Sequence, residues 1–181
     1  IQATTLGKTV IVVEPGRHPG GLTAGGLGAT DIGNKQAIGG LSREFYRRIG
    51  RHYAADAAWK QERREDYDSR RKAAGEPEMW TFEPHVAERV YRDWLAEAGV
   101  EVVYGERLDL GPGGVEKADG RIVAIRMESG RRFAGGVFID ASYEGDLMAK
   151  AGVSYHVGRE AQSVHDESLN GVRVAEARHH Q

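Results

Sequence analysis

The chain has no cysteine among its 181 residues. That absence excludes disulfides, thiolate nucleophiles and cysteine-based zinc sites together. A cysteine-free chain tolerates either redox setting, so no compartment follows and a cytoplasmic one is only the default. An excess of one charge is also missing: 25 Lys and Arg stand against 27 Asp and Glu, a net charge of −2. Nothing basic points to nucleic acid, and no acidic block points to a solvating tail. Long apolar runs are lacking too. Val10 to Val13 is bounded by Thr9 and Glu14, far short of the roughly 18–20 apolar residues of a membrane span. No nucleic-acid partner and no membrane span are expected, and the oligomeric state is left open.

What is abundant is glycine, 25 of 181 residues or about 14%, roughly twice ordinary usage. It has no triplet period, which excludes collagen. The hydrophobic share of 40% excludes wholesale disorder. The length suits one domain or part of a larger one. No signal peptide is visible. The first residues, from Ile1, read as the tail of a helix, and the chain closes on the polar run Val174 to Gln181. It is therefore expected to be a segment of a longer protein.

Ile1 to Leu6 reads as the last turns of a helix with Gly7 as its C-cap. Lys8 to Glu14 is a β-branched apolar run ending on an acid, suited to a parallel strand. Pro15 to Gly40 is glycine-rich, with Leu22, Leu27 and Ile38 interleaved. Such a loop lets backbone approach a ligand. Leu41, Phe45, Ile49 and Tyr53 recur at helical spacing. Ala54 to Glu78 is charged and is expected as a solvated helix. Pro84 opens a further helix through Val86, Val90, Trp94 and Ala98, closed by Gly99. Val100 to Tyr104 is then a strand. After Glu106, turns at Gly111 to Gly114, Asp119-Gly120 and Ser129-Gly130 predict a three-stranded antiparallel meander. Val137 to Asp140 is again a short apolar run ending on an acid, expected to return to the parallel sheet. Asp146 to Ala151 reads as a short helix before Gly152, and Val153 to Val157 as another strand.

Two strand ends carry the chemistry, because open parallel sheets bind ligands beyond their carboxyl ends. Glu14 ends the first strand; there a carboxylate can accept both hydroxyl hydrogens of an adenosine ribose. A surface acid that merely ends a strand fits equally well. Gly20-Gly21 and the following Leu22-Thr23-Ala24-Gly25-Gly26 suit a chain passing under a pyrophosphate or a ring, with Arg17 facing a phosphate. A flexible surface loop is the alternative. At the second end, Asp140-Ala141-Ser142-Tyr143-Glu144-Gly145-Asp146 leads from strand to helix. Asp146 suits either a site beside a ligand or the N-cap of the helix from Leu147.

Three stretches together carry a resemblance: Lys8 to Gly26, Phe82 to Tyr104 and Val137 to Gly152. In this order they resemble the FAD-dependent oxidoreductase family of glutathione-reductase-like flavoproteins, over roughly Ile1 to Arg173. The resemblance implies an α/β fold: a partial Rossmann-like FAD-binding domain with a parallel sheet and an inserted β-meander. That domain would cover 1–158, with a helical insertion at 41–80 and the meander at 106–134. The start of a following region, truncated, would occupy 159–181. The resemblance further implies that Glu14 holds the adenosine ribose and that Arg17, Gly20 and Gly21 lie beside pyrophosphate and ribityl. Leu22 and Thr23 to Gly26, with Gly25 among them, would reach toward the flavin. Backbone at Arg107-Leu108 would meet the adenine edge. Asp140, Ala141 and Ser142 match a motif that usually ends Ala-Thr; serine keeps the hydroxyl. Gly145-Asp146 would lie near the flavin and ribityl chain. The activity implied is hydride transfer from a small-molecule substrate to FAD, with the substrate and the catalytic residues unassigned.

One departure matters. No G-x-G-x-x-G occurs in the 181 residues, although that motif presents a helix N-terminus to the pyrophosphate. The chain alone is therefore expected to be inactive. A non-catalytic segment and an NAD-dependent Rossmann dehydrogenase stay open as alternatives; the meander argues against the latter. The seven histidines, His18, His52, His85, His156, His165, His179 and His180, show no zinc-type spacing with a helix-borne Glu, and no metal is expected. His85 suits a helix-entry surface residue better than an acid or base. Arg63-Arg64 and Arg70-Arg71 are matched by Glu62, Glu65, Asp66 and Asp68, as on a solvated face. Trp59, Trp80 and Trp94 read as packing residues.

Overall fold

The structure is a computed structural model that describes residues 1–31, 33–67 and 75–172. It is a mixed α/β chain of two compact units, Ile1–Arg107 and Leu108–Gln181.

The first unit begins with the single turn α1 (Gln2–Thr5), closed before Gly7 at φ 71°. Strand β1 (Ile11–Glu14) follows and pairs in parallel with β2 (Glu101–Tyr104), Ile11 opposite Glu101 and Glu14 opposite Tyr104. Runs of Ile and Val suit the pleat. A parallel pair needs a long crossover, and here it carries α2 (Gly21–Gly25), α3 (Gly40–His52) and α4 (Pro84–Glu97). The α3 spacing works for three of its four positions: Leu41 in the first turn is exposed, whereas Phe45 and Ile49 are buried, with Tyr53 just past the helix end. They join Val86, Ala87 and Trp94 of α4 with Met79 and Phe82 in one core. Pro84 stands in the first turn of α4, where a missing N–H costs nothing. The Glu83 N–H donates to Tyr53 Oη at 2.9 Å, and Tyr53 Oη donates to Glu83 Oε2 at 2.9 Å. Burial first, with the neighbouring Glu83 carboxylate, pushes the Tyr53 hydroxyl up to about 12.

The glycine-rich loop lies against the segment before α4. Phe82 N donates to Gly28 O at 2.8 Å, Thr30 N donates to Trp80 O at 3.1 Å, and Ala29 bridges Thr81. A side chain at Gly28 would collide with the Phe82 carbonyl, so this close approach requires glycine. Trp80 and Trp94 are buried, and Trp59 packs on the core beside Tyr53, as their reading as packing residues requires.

The described residues of the charged stretch 54–78 do not form the solvated helix that its composition suggested. Its described residues form only 3-10 turns at Asp56–Ala58 and Arg64–Asp66, with residues 68–74, including Asp68, Arg70 and Arg71, outside the described set. Arg63 pairs with Glu65 and Asp66 on an exposed face. Without an apolar stripe, no packing offsets the cost of nucleating a helix. Glu78, at the end of this polar run, is only 1% exposed. Its Oε1 accepts from Arg43 Nε at 2.7 Å and Arg47 Nε at 3.0 Å. Burial raises its carboxyl, but these bonds outweigh burial and leave it below the usual carboxylate range.

The second unit contains the expected meander: β3 (Val115–Ala118), β4 (Arg121–Arg126) and β5 (Arg132–Ala134), antiparallel in that order. Asp119 and Gly120 take positive φ at the first turn, as a tight hairpin demands. Ala124 and Met127 are its buried residues, and Glu116 pairs with Arg126 and Arg132 across the strands. Helix α5 (Asp146–Lys150) precedes Gly152, and α6 (Gln162–His165) follows. Two expected strands are absent. Val137 to Asp140 forms no ladder, with Val137 81% and Ile139 83% exposed, and Val153 to Val157 is likewise irregular. A strand exists only through a neighbour that takes its N–H and C=O groups. Neither run has one among the described residues. No helix among the described residues is long and apolar enough to cross a membrane.

Candidate functional site

The site-bearing residues of the first unit gather at the carboxyl end of β1. Glu14 closes the strand, and its Oε1 accepts from Gly16 N at 2.7 Å. Its second oxygen, Oε2, takes no hydrogen bond from the described residues. Main-chain bonds fix the turn: Glu106 N donates to Glu14 O at 3.2 Å, and Gly105 N to Gly16 O at 3.0 Å. The carboxylate is thus held at the carboxyl end of a parallel pair, where open sheets take ligands. Arg17 is exposed, and Gly20 sits against the Tyr91 ring. A Cβ at Gly20 would lie 2.5 Å from that ring, and its φ of 108° also favours glycine. Gly21, Leu22, Thr23 and Gly25 form the one-turn helix α2, which packs on α4 and ends at Gly26. The sequence suggested an open loop there. Leu22 is exposed and Thr23 half-buried.

Sequence reasoning missed the groups that fasten this loop. Glu88 and Arg92, one turn apart on α4, reach it from the side. Arg92 Nη2 donates to Arg17 O at 2.7 Å, Arg92 Nε donates to Glu88 Oε1 at 2.8 Å, and His18 Nδ1 lies 2.9 Å from the same oxygen. The Arg92 guanidinium also stands 5.1 Å from the ring centroid of Tyr104, the cross-strand partner of Glu14. The bonds from His18 and Arg92 hold the Glu88 carboxyl below the usual range. His18, one of the seven histidines without metal-type spacing, is exposed but partnered by Glu88. The only signal was the i, i+4 spacing of Glu88 and Arg92, which any solvated helix face can show.

In the second unit, Asp140, Ser142 and Gly145 build one turn. Asp140 Oδ1 accepts from Ser142 N at 3.0 Å and Ser142 Oγ at 2.7 Å, and Ser142 Oγ accepts from Gly145 N at 3.1 Å. Asp140 Oδ2 accepts from Met148 N at 3.3 Å, in the first turn of α5. Partial desolvation raises the Asp140 carboxyl, but the Ser142, Met148 and Leu147 donors outweigh it and lower it overall. The reading of Asp146 as the N-cap is corrected by this geometry. Gly145 occupies the N-cap position in left-handed conformation, Asp146 is the first helical residue, and the capping carboxylate is Asp140. Ala141 and Asp146 are exposed. Leu108 forms an antiparallel bridge with Met127, and the bond beside it runs from Asp109 N to Arg126 O at 2.9 Å. In such a pair the backbone of Leu108 itself points away from Met127. Among the described residues, no three His, Asp or Glu side chains gather as a metal site.

The donor set at β1 fits the adenosine end of a dinucleotide: a carboxylate acceptor at a parallel strand end, beside bare glycine backbone. The comparisons with known proteins agree with that chemistry. A model of the family described as FAD dependent oxidoreductase matches residues 1–180. No curated protein and no solved structure matches the chain. With the match covering nearly every residue, the chain belongs to the FAD-dependent oxidoreductase family, whose cofactor is FAD.

Proposed function

We propose that this chain supplies the adenosine-ribose side of the FAD site of an oxidoreductase acting on a small-molecule substrate, in a glutathione-reductase-like arrangement over residues 1–158. The observation that carries this is Glu14, fixed at the carboxyl end of β1 with Oε1 on Gly16 N. Bound FAD supplies two-electron chemistry, accepting a hydride from the substrate. The residues of the chain bind and orient it. Glu14 accepts from the ribose hydroxyls, and Arg17, Gly20 and Gly21 line the pyrophosphate and ribityl path. Leu22, Thr23, Gly25 and Gly26 continue toward the ring. The outward backbone of Leu108 supports its role at the adenine edge. Asp140, Ala141 and Ser142 shape the turn that presents Gly145 and Asp146 to the ribityl chain, and Asp146 has no capping bond to compete with that role.

No G-x-G-x-x-G is present among these residues. The helix N-terminus such a motif would offer the pyrophosphate is therefore not supplied by them, and we read the chain by itself as inactive. The test is FAD titration followed by flavin fluorescence, on the protein and on Glu14→Ala. Weaker binding by the variant supports the reading. Equal binding removes Glu14 from the ribose and with it the observation on which the reading rests.

A further inference from the structure

We infer that Glu88 is a positioning residue for the cofactor: with Arg92 as its lever, it holds the Pro15–Gly20 loop in the shape that presents Glu14. The inference rests on the ribose reading above. Between Glu14 and Gly20 the chain has neither helix nor strand to fix it. Two backbone bonds tie its start to Gly105 and Glu106. Its middle is tied by side chains alone. Arg92 grips the Arg17 carbonyl and lies over Tyr104, the residue opposite Glu14, so one guanidinium touches both flanks of the acid. Glu88 aims that guanidinium through Nε and Nη2, at 2.8 and 2.6 Å, and takes His18 from the loop on the same oxygen. The Tyr91 ring, between them on α4, closes against Gly20.

This arrangement is too exposed to be a stability device. Arg92 is 43% and His18 68% exposed at the side chain, and ion pairs of that kind contribute little to folding. They do set direction. A planar fork held by a carboxylate donates along fixed lines, which a lysine cannot reproduce. Ligand hydrogen bonds are sensitive to small displacements of their partners.

The test uses the full chain, with FAD affinity from flavin fluorescence and the melting temperature of the cofactor-free protein. Glu88→Ala and Arg92→Lys are each expected to weaken FAD binding about tenfold, the lower end of the loss of a charged hydrogen bond. Their melting temperatures should match the wild type. Glu88→Gln keeps an acceptor for Arg92 and is expected to restore affinity to within about threefold of wild type. Wild-type affinity in Glu88→Ala overturns the inference. So does a fall in affinity that Glu88→Gln shares in full, or one that only follows a fall in melting temperature. Glu14→Ala run in parallel separates the two failures. If it weakens binding while Glu88→Ala does not, only the positioning role is lost. If Glu14→Ala binds FAD normally, the ribose reading falls and the positioning role falls with it.

Discussion

Two runs of nearly the same design meet different fates. Ile11-Val12-Val13-Glu14 and Val137-Phe138-Ile139-Asp140 are both apolar, β-branched and closed by an acid. The first is a strand, paired along its length with β2; the second forms no ladder, and its Ile139 is 83% exposed. Composition cannot separate them, because both have the propensity for a strand. The difference lies in the neighbour. β1 has a partner that α4 delivers to its side, and α4 is fixed by the Phe45 and Ile49 core. Val137 to Asp140 has no such partner among the described residues. Its acid still finds work, but locally: Asp140 caps α5, whereas Glu14 at a strand end takes, among the described residues, a bond on one oxygen alone.

The largest expected effect comes from removing what holds the first run's surroundings. Glu78 is buried between Arg43 and Arg47. Glu78→Ala removes the buried acceptor shared by Arg43 Nε and Arg47 Nε and should cost about 3 kcal/mol, the worth of hydrogen bonds to a charged group. Denaturant unfolding gives the loss. Hydrogen exchange at Val12 and Val13 should rise as β1 comes to resemble the unpaired run. Unchanged exchange there would show that β1 is independent of this core. The pH dependence has a definite sign. The folded carboxyl lies below its ordinary value of 4.5, so its contribution is complete above that pH and is lost as pH falls through the folded value. Glu78→Gln should flatten that acid loss.

Next comes the acid itself. Glu14→Ala should weaken FAD binding by about 1.5–3 kcal/mol, the worth of hydrogen bonds to a charged group. Asp140→Ala, the matching change at the other run, should act mainly on stability. Equal losses of FAD affinity in the two variants would erase the distinction between a ligand acid and a capping acid.

Much of this was legible beforehand, for reasons the residues make plain. Helix α3 followed from Leu41, Phe45 and Ile49 at helical spacing, and Phe45 and Ile49 also marked its buried face, although Leu41 in the first turn is exposed. Pro84 and Gly99 bounded α4, and Asp119-Gly120 and Ser129-Gly130 marked the hairpins, since each demands its own local geometry. Pairing is not local, so Val137 to Asp140 misled. Glu78 was hidden by its polar neighbours: its burial depends on two arginines of α3, more than 30 positions away in sequence. The site divided the same way. Glu14 could be read from the end of its run. Glu88 and Arg92 could not, because their i, i+4 spacing says nothing about the Arg17 carbonyl they serve.

A smaller effect sharpens the contrast between the runs directly. Val103 lies opposite Val13 and is buried. Val103→Ala removes two buried methyl groups and should cost about 1.5–2 kcal/mol. Ile139→Ala removes more carbon from an exposed position and should cost under about 0.5 kcal/mol. Chemical denaturation of both variants measures the gap. A comparable loss at Ile139 would mean that this run is packed in solution after all.

The smallest effect separates the two acids around α5. Asp140 accepts from Met148 N, and Asp146 makes no capping bond. Asp140→Ala should therefore cost about 1 kcal/mol, the ordinary worth of a cap. Its carboxyl is lowered from 3.8, so this contribution is present above that pH and fades as pH falls through the folded value. Asp146→Asn should leave stability within about 0.5 kcal/mol, as surface changes do. If Asp146 lies near the flavin, as proposed, its charge disfavours the reduced, more negative form. Removing it should then raise the midpoint potential of the FAD-loaded protein, with about 30 mV corresponding to 1.4 kcal/mol for two electrons. Melting curves and redox titration of the two variants read these separately. A potential unchanged in Asp146→Asn, with FAD affinity also unchanged, takes Asp146 out of the site. A melting loss at Asp146 and none at Asp140 would return the cap to Asp146 and remove the capping role from Asp140.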